Sequence, residues 1–245
     1  GHYLRGVALQ KQGKKAEAEK EYANALSLSP RYVEPLAQLI AMDMAEKKSD
    51  AALKRVQRQI ELAPDVAGMH DLLGRIHMSK KDPKRAEASF LKAIELDPKQ
   101  GSAYLLLSRL YLSSKDYDRA LGKLDEAIKT NPKNVQALML TGMIQQQRGK
   151  FEEAKGAYEK LLAVNPGFFP AMNNLAYLYG EHLGDNRKAL DLAYKARSEA
   201  PEDPHVADTL GWLLYKEGKF DQALTSLQIS ASKLPENAEV QYHLG

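Results

Sequence analysis

Apolar and polar residues alternate along this chain with a helical beat. In stretches such as 68–79 and 83–96 the apolar side chains recur every three or four residues, the spacing that gathers them on one face of a helix. Short polar connections such as Gly149-Lys150 and Gly218-Lys219 separate the stretches. The second stretch of each pair stops just before a proline, as at Asp97-Pro98. Proline cannot continue a helix and disfavours helical geometry in the residue before it. The pattern predicts paired helices and no strands.

The pairs repeat. Pro30, Pro64, Pro98, Pro132 and Pro166 lie 34 residues apart, Pro201 follows after 35, and Pro235 after 34 more. Ala18, Ala52, Ala86, Ala120, Ala154, Ala189 and Ala223 keep the same beat. A column of small residues runs through Gly6, Gly74, Ser108, Gly142, Ala176 and Gly211, broken only by Ile40. A column of larger residues reads Tyr22, Val56, Phe90, Leu124, Tyr158, Ala193 and Leu227. A small residue where helices cross lets the backbones approach, and a bulky one there would overpack by about 1–3 kcal/mol. The single added residue falls between Ala176 and Ala189, and the turn around His182 to Asp185 is its expected place.

In-phase small and large residues in a 34-residue unit resemble the tetratricopeptide repeat. The likeness spans nearly the whole chain. It gives seven repeats, the first lacking its start, plus the first helix of an eighth, as one array over residues 1–245. The chain opens at Gly1-His2 and ends at Tyr242–Gly245 inside the pattern, so it reads as a fragment of a longer protein. The resemblance implies an all-α, right-handed αα superhelix (TPR solenoid) of about fifteen helices. A hairpin cannot bury its own apolar face, so neighbouring repeats must share a core. It also implies a concave surface lined by first helices.

Composition narrows the function. Lys and Arg total 35 against 32 Asp and Glu, well mixed along the chain. That is not the one-sided basic stripe of a nucleic-acid binder. Cysteine is absent, which removes disulfides, thiolate nucleophiles and thiolate metal sites together. No apolar run approaches the roughly 20 residues that cross a bilayer. The six histidines stand in no metal motif, and there is no phosphate-binding glycine loop or nucleophile elbow. His70 and His77 read as structural. The chain reads as non-enzymatic and without a cofactor.

Packing consumes the lattice positions, so binding falls to the positions that the repeat leaves free. On the pattern of the family, one groove-facing column is Val7, Ala41, Arg75, Arg109, Met143, Tyr177 and Trp212. Flanking columns supply Asn173, Asp208 and Tyr215. The candidate contact residues are therefore Asn173, Asn174, Tyr177, Asp208, Trp212 and Tyr215, with Arg75 and Arg109 as an anchor for an anionic group. Tyr and Trp give large contact area at little entropy cost, and Asn can hold a peptide backbone. Against this, the two aromatics could simply pack on the next first helix, and the arginines could be neutralised by Asp71 or another acid. The last two repeats also resemble, more loosely, tetratricopeptide proteins of bacterial exopolysaccharide and cell-envelope systems, through Asn173, Asn174, Ala176, Asp208, Gly211 and Trp212. The expected role is a protein- or peptide-binding scaffold, with a polysaccharide-binding surface as the alternative. If the bacterial likeness holds, the setting is periplasmic or envelope-associated, and otherwise cytoplasmic.

Overall fold

The computed structural model describes residues 1–245, all helix and connection with no strand. It divides into two compact units, residues 1–131 and 132–245. Unit 1 holds α1 (His2–Lys11), α2 (Lys15–Leu28), α3 (Val33–Ala45), α4 (Ser49–Leu62), α5 (Ala67–Ser79), α6 (Pro83–Leu96), α7 (Gly101–Ser113) and α8 (Tyr117–Thr130). Unit 2 holds α9 (Val135–Gln147), α10 (Phe151–Val164), α11 (Phe169–Leu178), α12 (Asn186–Glu199), α13 (Pro204–Lys216), α14 (Phe220–Lys233) and α15 (Ala238–Leu244). In each unit odd- and even-numbered helices pair as hairpins, and each hairpin packs on the next.

The prolines terminate the helices as their chemistry requires. Every second helix ends two residues before its lattice proline, α6 at Leu96 and α10 at Val164 for example. The intervening residue is forced out of helical geometry, with φ −143° and ψ 98° at Asp97 and φ −135° and ψ 87° at Asn165. Within each hairpin the connection passes through one residue at positive φ: Gly13, Lys47, Lys81 and Lys115 in unit 1, Gly149, Gly184 and Gly218 in unit 2. These seven positions follow the same 34- or 35-residue lattice. They form a turn column that the hydrophobic pattern does not mark, because lysine occupies three of its places.

The small-residue column meets the large one directly. A methyl group added at Gly6 would stand 2.6 Å from the Tyr22 ring, and one at Gly74 would stand 2.5 Å from Phe90. Gly142 faces the buried Tyr158 ring in the same way, and Gly211 faces Leu227. Ile40, the exception in sequence, belongs to the pair whose large partner has shrunk to Val56, and both lie in one buried cluster. Side-chain volume is thus shared between two columns, with Gly opposite Tyr or Phe and Ile opposite Val. Close packing leaves room for nothing else.

The additional residue of the sixth repeat is not in the connection. It is taken up one turn earlier, where α11 continues into a π-helical turn, Tyr179–Leu183. A π turn spans one residue more than an α turn. Gly184 and Asp185 then close the hairpin as Gly149 and Lys150 close theirs. Of the expected span, His182 and Leu183 belong to the insertion, and Gly184 and Asp185 do not.

Candidate binding surface

The column that the repeat pattern assigns to the groove is open to different degrees along the two units. Ala41, Arg75 and Arg109 are exposed in unit 1, and Met143 is exposed in unit 2, with Tyr177 and Trp212 half-buried. The flanking columns are partly consumed by packing, since Asp71, Gly180 and Asp208 are buried.

The two arginines lie in unit 1 and differ from each other. Arg75 Nε donates to Asp71 Oδ2 at 2.7 Å, and the other Asp71 oxygen accepts from Ser102 Oγ at 3.1 Å. A buried carboxylate has to be paired, and Arg75 supplies that pairing one helical turn away. Arg109 is exposed with no acidic partner. A twin-arginine anchor with no acid between is therefore not what unit 1 contains, because Asp71 already occupies Arg75.

The other six candidates lie in unit 2. Trp212 stands on the third turn of α13 and stacks on Tyr215, with ring centroids 5.5 Å apart and planes inclined by 19°. It also stacks on His243 of α15, at 4.4 Å and 20°. Its indole N–H donates to Glu181 Oε1 at 2.8 Å. Glu181 lies in the π turn and also accepts from Lys216 Nζ at 2.8 Å, while Lys216 donates to the Gly180 carbonyl at 2.7 Å. The extra residue of the sixth repeat thus places a carboxylate that fixes the indole. A Cβ at Gly180 would meet a terminal methyl of Leu213, so that side chain would have to shift to admit it. Burial tends to raise the Glu181 pKa, but the bonds from Lys216 and Trp212 and the Lys216 charge together hold it below the usual value.

Asp208, one turn before Trp212, is buried. Its Oδ2 lies 2.9 Å from His243 Nδ1, and its Oδ1 has no donor. Burial raises its pKa, against the opposing effect of His243. Asn173, in the same column on α11, also has an Oδ1 without a donor. Asn174 is turned inward, where its Nδ2 donates to the buried Tyr158 hydroxyl at 3.3 Å. Tyr177 is half-buried, and burial followed by the charges of Glu239, Glu181 and Asp208 pushes its hydroxyl pKa up. Tyr215 is 50% exposed. Beside it, Trp212, Phe220, Leu224, Tyr242 and His243 border a cleft of about 440 Å³.

Glu181, Lys216, Glu239 and His243 were not legible as parts of this arrangement. Glu181 depends on the π turn, which a residue count locates but does not shape. His243 belongs to a repeat of which only one helix is present. The two histidines read as structural have structural surroundings: His70 Nε2 contacts the Pro64 carbonyl at 2.8 Å, and burial lowers the pKa of His77. There is no cluster of three or more His, Asp or Glu that could hold a metal ion. No helix is long and apolar enough to cross a membrane.

Tetratricopeptide-repeat families match residues 1–32, 157–191 and 209–245. The family described as the cytochrome c-type biogenesis protein H TPR domain matches residues 56–167. Together with the recurring hairpins these matches decide the class. The chain is a tetratricopeptide-repeat protein. It is 33% identical over 75 residues to a TPR repeat-containing protein of Pseudomonas aeruginosa, PA4667, covering 31% of this chain but only 12% of that relative. Among solved structures, Pseudomonas aeruginosa PilF superposes with a TM-score of 0.71 at 18% identity, over 86% of this chain and 95% of that one. YrrB, described as a TPR protein with an unusual peptide-binding site, does so with a TM-score of 0.56 at 20% identity, over 76% of this chain and 95% of that one. These likenesses establish the fold. As a tetratricopeptide-repeat protein the chain is of the protein- or peptide-interaction type.

Proposed function

We propose that the principal contact surface is the first-helix face of unit 2, from Asn173 on α11 to Tyr215 on α13, and that it receives an extended segment of a partner protein. The observation that carries this reading is the stacked Trp212–Tyr215 pair. The indole is held in place by Glu181, while half of Tyr215 remains open to solvent. Rigid aromatic surface loses little entropy when it binds. Asn173, half-buried on the adjacent first helix, adds a side-chain amide of the kind that can hold a peptide backbone. The setting we propose is a bacterial envelope, secretion or export assembly. The matches to a cytochrome c-type biogenesis family and to a Pseudomonas aeruginosa repeat protein favour such a setting.

The test is the double substitution Asn173→Ala with Tyr215→Ala, titrated calorimetrically against the partner captured by the full-length protein. Loss of a hot spot costs about 2 kcal/mol, near thirtyfold in affinity, with the melting temperature nearly unchanged. Undiminished affinity would move the site elsewhere. Saturable binding of export-system oligosaccharides with no protein captured would favour the polysaccharide alternative.

A further inference from the structure

We propose that the edge of unit 1 formed by its hairpin turns is a basic surface that rests on an anionic lipid bilayer. It is separate from the contact surface of unit 2, and neither reading depends on the other. Acidic and basic residues are mixed along the chain, but the fold does not leave them mixed around unit 1. The connections inside its four hairpins are residues 12–14, 46–48, 80–82 and 114–116. They hold Lys14, Lys47, Lys48, Lys80, Lys81 and Lys115 against Glu46, Asp82 and Asp116. The connections between its hairpins, residues 29–32, 63–66 and 97–100, are balanced, with Arg31 and Lys99 against Asp65 and Asp97. The excess of positive charge is confined to one edge.

Salt bridges join each hairpin to the next close to that edge: Arg55 to Glu19 at 3.0 Å, Lys80 to Asp50 at 2.6 Å and Arg119 to Glu87 at 3.2 Å. The four turns are therefore neighbours along one side of the unit. The acids among them already have partners, Glu46 with Lys48, Asp50 with Lys80, Asp82 with Arg85 and Asp116 with Arg119, and Asp118 is engaged as well. Lys14, Lys47, Lys81 and Lys115, one on each turn, remain exposed and without an ion pair. Lys11, Lys15 and Lys84 flank them, all exposed, against the exposed Glu17.

A second observation does not depend on charge. Lys47, Lys81 and Lys115 stand at positive φ, where every hairpin of unit 2 has glycine. Strained backbone that is kept where an easier residue exists is grounds for a functional hypothesis, and what lysine adds there is an exposed ammonium group. The kind of partner follows from the chemistry of the edge. Arg85 and Arg119 are held by Asp82 and Asp116, so no free guanidinium fork is offered to a single phosphate. Tyr117, the aromatic residue beside the turns, is half-buried, so no open ring stacks on a nucleic-acid base. A row of flexible ammonium groups suits the diffuse negative charge of lipid headgroups, where each lysine near the surface adds to the attraction.

The whole chain is sedimented with vesicles of phosphatidylcholine alone, or of phosphatidylcholine mixed with phosphatidylglycerol. Binding is expected only to the mixture, and it should fall as salt is added. The triple variant Lys47→Gly, Lys81→Gly, Lys115→Gly copies the turns of unit 2 and should keep its helical circular dichroism. It should bind the mixed vesicles about a hundredfold more weakly, roughly fivefold for each lysine. The control Lys99→Gln, Lys160→Gln, Lys195→Gln removes as much charge from exposed positions off this edge and should bind like the unaltered chain. No binding to the mixed vesicles, undiminished binding of the glycine variant, or an equal loss in the control would each overturn the proposal. Tighter binding to a DNA duplex than to the mixed vesicles at the same salt, lost in the glycine variant, would give the edge to nucleic acid and remove the lipid reading. If the glycine variant loses its helical spectrum, Lys14→Gln with Lys15→Gln decides, and unchanged binding refutes the proposal.

Discussion

At the scale of the residue, the turn column between paired helices exposes a cost. Lys47, Lys81 and Lys115 hold φ near +59°, where glycine serves the other hairpins. An L-residue in that region is strained by about 1–2 kcal/mol, partly offset because glycine loses more entropy on folding, roughly 0.5–1 kcal/mol. All three lysines are exposed, so replacement removes little packing. Lys81→Gly should therefore stabilise unit 1 by up to about 1 kcal/mol, read as a raised midpoint in urea unfolding. Lys54→Gly, inside α4 and also exposed, should move the midpoint the other way by about the same amount. These opposite signs for one chemical change would separate backbone strain from loss of the lysine side chain.

At the scale of the element, the hairpins are set by paired volumes, and the glycines divide accordingly. Gly142 faces the fully buried Tyr158 ring, and that ring is fixed further by hydrogen bonds with Gln146 and Asn174. The ring has nowhere to move, so Gly142→Ala should destabilise unit 2 by about 1–3 kcal/mol. Gly156, within α10, has open space where a Cβ would stand. Gly156→Ala should gain roughly 0.5–1 kcal/mol from helix propensity. Thermal melts of the two variants against the unaltered chain check both signs. The α3–α4 hairpin, with Ile40 at its crossing, shows that the column tolerates bulk where the facing residue is small.

At the scale of the whole molecule, repeat proteins draw their stability from each hairpin and its nearest neighbours. Unit 1 contains four hairpins, α1–α2 to α7–α8, and its core runs through residues such as Tyr22, Leu36, Met69 and Phe90. Unit 2 contains three hairpins and α15, with Tyr158, Leu161, Leu178 and Val206 buried. Each exceeds the roughly three repeats that a stable stack needs. Residues 1–131 and residues 132–245, made separately, should each show a helical circular dichroism spectrum and a cooperative thermal transition. A fragment that stays unfolded at low temperature would mean that its hairpins do not suffice for a stack.

Local chemistry is what made the architecture readable. Proline at fixed intervals stops a helix wherever it occurs, and alternation of small and large residues reports a crossing without knowledge of the partner, so hairpin number, helix ends such as Leu96 and the class of fold followed from spacing alone. The same periodicity marks Arg75, Arg109, Tyr177, Trp212 and Tyr215 as positions outside the packing lattice. What periodicity cannot state is which of two neighbours a polar group will choose. Only the tertiary structure turned Asn174 inward to Tyr158, committed Arg75 to Asp71, and placed Glu181 at the indole N–H by spending one extra residue on a π turn. The Glu181 bond depends on the distance between helices a repeat apart, the Asn174 bond on the packing of α11 against α10, and the Arg75 bond on the rotamer chosen one turn along α5. A single substitution in one helix, Trp212 where the equivalent earlier position holds Arg75, leaves a carboxylate oxygen unpartnered on another turn.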